Sequence, residues 1–348
     1  MVPEVVRAVR ARYGRVQAAM ARRGVGVLLL ATPHLGAFAS GARRVQVAGS
    51  GAAVPWVVVP ADAPAAIVFT PDPDGAPPWM PAAHVEPLCW DRARQLARLA
   101  ALVAPTRGAI ACDVWSPAVR TLAGQRPLVD AAPLVAEATA PRTSDEIALV
   151  VRALAVTRRS LAAALAAVAP GTSVAALVAC AARAMAADGA GFPLATARVW
   201  KMAPAGLVRL APDAVLGAHD VLALETALWV DGHAGVAGGT TASDGRDAPA
   251  ARHAWMAASD VLAERCRTGA TTATVRAVAA AAGAGRVGLV AHGLGVGVEP
   301  PYVRLEGDDA VPLAAGTVLV LAPVVAGFRA TRALVVTDTG GRWLEDTP

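Results

Sequence analysis

The sequence predicts an α/β (α+β) protein of two domains, a small N-terminal α/β domain over residues 1–140 and a larger C-terminal domain over 141–348. At 348 residues the chain is too long for one average domain and about right for two. Its first 140 residues alternate short apolar runs with amphipathic helical periods, the pattern of a small α/β layer. Beyond them a helix pair followed by strands occurs twice, which is an internal two-fold repeat.

Residues 3–23 form the first helix, with Val6, Val9, Tyr13, Val16 and Met20 at helical spacing, and Gly24 ends it. A buried strand follows at 25–30, then a turn at Pro33-His34-Leu35-Gly36. Strands are predicted at 56–59 and 66–69, a helix at 91–103, a strand at 108–113 and a helix at 116–122. At the junction, Thr143 with Glu146 three residues later spells a capping box, opening a helix that runs to Pro170-Gly171. Thr172 or Ser173 caps a second helix to about 187. Strands at 195–202, 221–230 and 235–241 complete the first half of the repeat. The second half has a helix at 248–266 with the stripe Trp255, Ala258, Val261 and Leu262, then a helix from Thr271/Thr272 to 282. Its strands fall at 287–291, 317–321 and 333–337.

Apolar residues make up 55% of the chain but aromatics only 4%, so aliphatic packing carries the core. The formal charge of +5 is almost all arginine, scattered without a block of like charge or a basic stretch interleaved with aromatics, which argues against nucleic acid as a partner. Cys89, Cys112, Cys180 and Cys266 are far apart, with no C-x-x-C pair, and Cys180 reads as a buried free thiol in a helix. The N-terminus lacks the layout of a signal peptide, and the uncharged runs 45–61 and 311–328 contain Gly and Pro and read as buried strands. The expectation is a soluble cytoplasmic protein with no membrane partner.

One stretch stands out, 289–301, Leu-Val-Ala-His-Gly-Leu-Gly-Val-Gly-Val-Glu-Pro-Pro. An apolar run delivers His292 at a strand end, glycines let the backbone turn tightly, and Pro300-Pro301 stops regular structure. With Glu299-Pro-Pro behind it, His292-Gly-Leu-Gly resembles the signature of the creatinase, prolidase and aminopeptidase P superfamily, whose catalytic domain is of the methionine aminopeptidase type. The junction helix and the two-fold repeat are similar to that superfamily as well. The resemblance implies a creatinase-type N-terminal domain, a C-terminal "pita-bread" domain and a homodimer.

In the superfamily's metal-dependent members, two Asp, one His and two Glu hold a pair of ions about 3.5–4 Å apart that activate water for amide hydrolysis. Carried over motif by motif, the resemblance puts Glu225 at the first Asp, Val236 at the second, His292 at the His, Ala322 at the first Glu and Thr331 at the second. Val and Ala cannot ligate, and His292 with Glu225 is too few for even a mononuclear site, so neither metal nor other cofactor is expected. Arg332 stands where the family often has Asp and would add positive charge to the former metal pocket.

Glu225 and His292 could then form an acid/base pair, or Glu225 could neutralise Arg329 or Arg332. Lys201 is the only lysine and falls on a segment that lines the pocket in relatives; it could be a base, a nucleophile or a fixed cation, or exposed without a role. Arg329, Arg332, His233 and Glu299 complete the candidate substrate-binding set, with His233 at the position of a family Tyr. Arg43 and Arg44 lie where relatives' N-terminal domains reach a partner subunit's pocket. The reading is a metal-independent enzyme of specialised metabolism acting on a small amino-acid-like or peptide-like substrate, by C–N hydrolysis or by lyase or isomerase chemistry. The alternative is an inactive relative that holds a peptide or protein in the old cleft.

Overall fold

A computed structural model describes residues 3–42, 54–71, 76–77, 79–139, 141–190, 192–203, 206–285 and 289–344. The chain divides into two compact units, Met1–Thr139 and Ala140–Pro348.

In the first unit, β1 (Val25–Leu30) is apolar throughout and wholly buried, as a central strand covered on both faces must be. It pairs antiparallel with β2 (Val57–Pro60) and parallel with β5 (Ala109–Cys112). Outside these lie β3 (Ile67–Thr70) and β4 (Val85–Pro87) on one side and β6 (Leu128–Asp130) on the other, six strands in the order β4-β3-β2-β1-β5-β6. The helices are α1 (Pro3–Arg22), α2 (Pro33–Ser40), α3 (Arg92–Val103), α4 (Pro117–Ala123) and α5 (Ala132–Thr139). The turn expected at Pro33 is instead the first turn of α2. Pro33 suits that position, and the Asp113 carboxylate accepts 2.8 Å bonds from the N–H groups of Ala31 and Thr32, fixing the chain just before it.

The second unit opens with α6 (Ser144–Ala166), and the capping box is present: Thr143 accepts from the Glu146 N–H while the Glu146 carboxylate accepts from the Thr143 N–H. After α7 (Val174–Ala187) come β7 (Phe192–Ala203), β8 (Gly206–Arg209), β9 (Val221–Val230) and β10 (His233–Ala242), in the order β10-β9-β7-β8. The second half repeats this plan. Helices α8 (Pro249–Arg265) and α9 (Thr272–Ala281) precede β11 (Leu289–Leu294), β12 (Val298–Arg304), β13 (Val318–Leu321), β16 (Arg332–Val336) and β17 (Gly341–Trp343). Their order is β12-β11-β13-β16-β17, so β16-β13-β11-β12 reproduces β10-β9-β7-β8. A two-stranded ribbon, β14 (Val324–Val325) and β15 (Phe328–Arg329), crosses between the halves. This is the pita-bread plan.

Pro300-Pro301 does not end regular structure: β12 runs through it, with a cis bond between the two prolines. An edge strand has a free side on which a missing N–H costs nothing, and β12 is the edge of its sheet. Two smaller departures concern helices. Val261 is exposed rather than part of the α8 stripe, and Cys180 is half-buried with the Arg183 guanidinium 3.0 Å from its sulfur. Helix α6 packs closely on β10. A Cβ on Gly235 would sit 2.4 Å from the Ala153 carbonyl oxygen, so only glycine lets helix and strand meet there.

Candidate active site

Strand alternation decides what the first half offers. Leu222 and Leu224 of β9, with Val199 of β7, pack into the apolar core under α6 and α7. Side chains directly across a ladder share a face, so Glu225 and Ala223 point the other way, together with Arg198 and Trp200 opposite them. That second face looks toward the other half: Ala227 and Val236 share an apolar cluster with Val320 and Ala333. The ribbon brings Arg329 in from above. Its Nη2 lies 2.7 Å from Glu225 Oε2, and its guanidinium stands 5.2 Å from the Trp200 ring centre. Arg198 Nη1 is 4.0 Å from the other Glu225 oxygen. The Thr240 hydroxyl ties the ribbon to β10. Thr240 Oγ1 accepts from the Arg329 N–H at 2.8 Å and donates to the Arg329 carbonyl at 2.6 Å.

His292 enters from β11. Its Nδ1 is 2.9 Å from the Gly293 carbonyl, which can only accept, so Nδ1 carries the proton and Nε2 is left as an acceptor. Burial lowers the pKa of His292. The bond to Gly293 and the charge of Glu225 push it upward, and the charge of Arg329 downward. The result is a neutral, buried imidazole within the electrostatic reach of a carboxylate and a guanidinium.

The family model for metallopeptidase family M24 matches residues 148–347. The chain belongs to metallopeptidase family M24. Its fold is shared with solved structures of M24-type enzymes. The X-Pro aminopeptidase of Thermotoga maritima MSB8 has a TM-score of 0.74 at 15% identity, covering 97% of this chain and 98% of that one. The prolidase of Pyrococcus horikoshii OT3 has a TM-score of 0.75 at 15% identity, over 97% and 98% of the two chains. Dipeptidase PepE of Mycobacterium ulcerans has 0.71 at 21%, over 98% and 96%. No curated protein sequence matches the chain significantly.

M24 metallopeptidases imply a metal centre, and the residues here do not fit one. Glu225 is engaged by the Arg329 guanidinium, which occupies the oxygen a cation would need. Val236 is buried in the apolar cluster, and Ala322 is buried as well. Thr331 faces Gly238, whose N–H donates to its Oγ1 at 2.8 Å. Among the described residues, no three of His, Cys, Asp and Glu come together as a ligand set.

Several expected members of the M24 site lie elsewhere. Lys201 sits opposite Leu222 and so points to the helix face, where its Nζ is 2.5 Å from Asp220 with the side chain 46% exposed. Arg332, one residue beyond Thr331, turns away from Glu225. It pairs with Asp260 of α8 at 2.9 Å and stacks 3.6 Å from the Trp343 ring centre, so it adds no charge to the site. His233 is buried at the hairpin end of β10, its Nδ1 3.1 Å from the Asp231 carbonyl. Gly238, the partner of Glu225, is five positions further along β10, or about 17 Å away along the strand. Glu299 is a structural anchor, ion-paired with buried Arg142 just ahead of α6. Arg43 and Arg44 lie outside the described residues.

What the sequence reading overlooked is Arg198 and Trp200, which share the site face while their neighbour Lys201 does not. The apolar Val199 between two polar positions was the available signal. An irregularity in β7 between Ala195 and Arg198 hides the phase of the alternation.

Proposed function

We propose that this M24 chain is a metal-independent enzyme that holds a small amino-acid-like or peptide-like substrate by its carboxylate and uses His292 as its base. The observation that carries the reading is the neutral His292, with Nε2 left as an acceptor, beside a carboxylate whose counter-ion is a guanidinium. Two arginines against one glutamate leave the site with a net positive charge, complementary to a carboxylate. Arg198, about half exposed, is the group a substrate meets first, and Trp200 offers the ring beside it.

In the hydrolytic form, His292 Nε2 takes a proton from water as its oxygen attacks the C–N carbonyl carbon. The imidazolium then returns that proton to the departing amine, and Glu225 stabilises the transient cation. The same base could instead take a proton from carbon, which is the lyase or isomerase form. Aminopeptidase, prolidase and dipeptidase relatives favour the hydrolytic one by analogy of fold.

A chelator-treated preparation assayed against a panel of dipeptides and N-acylated amino acids tests this. Turnover should persist, and His292→Asn should lower it by roughly 10²–10⁴-fold with an unchanged Tm. Activity that returns only with added Mn or Co ions sinks the metal-independent reading. The packing of Val236 and Ala322 where relatives carry ligands favours a second reading, a cleft that binds a peptide without cleaving it. Tight dipeptide binding with no turnover in any condition selects it.

The same proposal includes a homodimer, a cytoplasmic setting and a place in specialised biosynthesis. Four free cysteines suit a reducing compartment. No helix among the described residues is long and apolar enough to cross a membrane. Trp90 and Trp115 of the first unit are exposed, as residues of a subunit contact would be in a lone chain.

A further inference from the structure

Behind the site, on the helix side of the seam between the two halves, lies a crevice of about 420 Å³. One wall is α6, through Leu161 and Leu165, and the other is α8, through Trp255 and Met256. Phe328 of the ribbon closes one end. That volume falls within the range of small-ligand sites and far exceeds the voids a packed interior leaves.

The side-chain polar groups of the floor already have partners within the protein. The Thr240 hydroxyl is spent on the Arg329 backbone, that of Thr331 on the Gly238 N–H, and the Trp255 indole N–H donates to the Pro323 carbonyl at 2.8 Å. Such a floor suits hydrocarbon and does not suit ordered water, which needs several polar partners. Among the described residues lining the crevice are two arginines, Arg158 on α6 and Arg252 on α8, and no carboxylate. Arg252 also borders an adjoining hollow of about 430 Å³, where it pairs with Asp247 at 2.8 Å. Both members of that pair are about half exposed, so an arriving anion displaces a weak interaction.

We propose that the crevice binds a small carboxylic acid with an apolar body, its head on Arg252 and Arg158 and its body between α6 and α8. A guanidinium takes a carboxylate through two parallel hydrogen bonds, and a singly charged head costs less to desolvate in an apolar site than a phosphate would. This crevice borders the Glu225 site at Gly238 and Thr331, and its occupancy does not depend on whether that site is catalytic.

Calorimetric titration with octanoate, and with octanamide as the neutral control, tests the assignment on the whole chain. Octanoate should bind at least tenfold more tightly than octanamide. Arg252→Gln and Arg158→Gln should each weaken octanoate at least fivefold. Ala162→Trp, on the exposed mouth of α6, should block it while the circular dichroism melt stays unchanged. Arg198→Gln, on the opposite face, should leave it unaltered. Absence of binding at millimolar octanoate overturns the proposal, as does equal binding by Ala162→Trp. Loss of binding in Arg198→Gln overturns it too, because it places the acid in the Glu225 site.

Discussion

Taking the carboxylate from Glu225 leaves the Arg329 guanidinium, only 10% exposed, without its counter-ion. Removing one member of a buried pair costs about 3–5 kcal/mol, and the lower end applies to Glu225, which is 16% exposed. Glu225→Gln and Arg329→Gln should therefore each lower stability in urea melts. The double variant should lose clearly less than the sum, by roughly 1 kcal/mol or more of coupling. Additive losses would mean the pair contributes nothing as a pair. His292 carries a pH signature of defined sign. Its folded pKa lies below the ordinary value of about 6.5, so as pH falls the unfolded chain binds the proton first. Stability is undiminished above about pH 6.5 and declines below it. His34 is shifted the same way by burial, so His292→Asn should flatten the acid side of the Tm profile without abolishing its slope. An unchanged slope would show that His292 is not the buried neutral ring described here.

At the scale of elements, α6 does two jobs and each can be tested. Its capping box starts it, and Thr143→Ala should cost about 1 kcal/mol. Its contact with β10 needs Gly235. Gly235→Ala should overpack the joint and cost about 1–3 kcal/mol or more by urea denaturation. A neutral result would mean that helix and strand separate freely. β7 supplies the contrast. Arg198 and Lys201 are three residues apart, yet they lie on opposite faces. Lys201→Met should therefore change stability by no more than about 1 kcal/mol and leave any turnover intact, since it removes only a half-exposed pair with Asp220. Arg198→Gln should raise KM for a carboxylate substrate with a smaller effect on kcat.

For the whole molecule, the proposed metal-independence sets an expected stoichiometry. Protein exposed to excess Mn, Co or Zn ions and then desalted should retain less than one ion per chain by mass spectrometry. Retention of two ions that disappears in His292→Asn would overturn the assignment of Val236, Ala322 and Thr331 to the ligand positions. Light scattering at micromolar concentration should report a dimer; a monomer there removes subunit association from the proposal, and with it the expected role of Arg43 and Arg44.

The sequence by itself determined the local punctuation and the plan. Thr143 with Glu146 starts α6, the doubled helix pair announces the two-fold repeat, and apolar strands carry Glu225 and His292, the site's carboxylate and imidazole. Caps and hydrophobic periods act within a few residues, so they can be read in one dimension. Partnership acts across the fold and cannot. That Glu225 takes Arg329 while Arg332 takes Asp260 depends on which way the chain turns after the ribbon. The confinement of Glu299 depends on Arg142 reaching it from the start of α6. α2 depends on Asp113, some eighty positions further along the chain. The phase of β7 depends on one irregular step in its ladder. Each of these is a choice between contacts that sequence spacing leaves equally open, and only the packed structure, by burying one partner beside another, makes it.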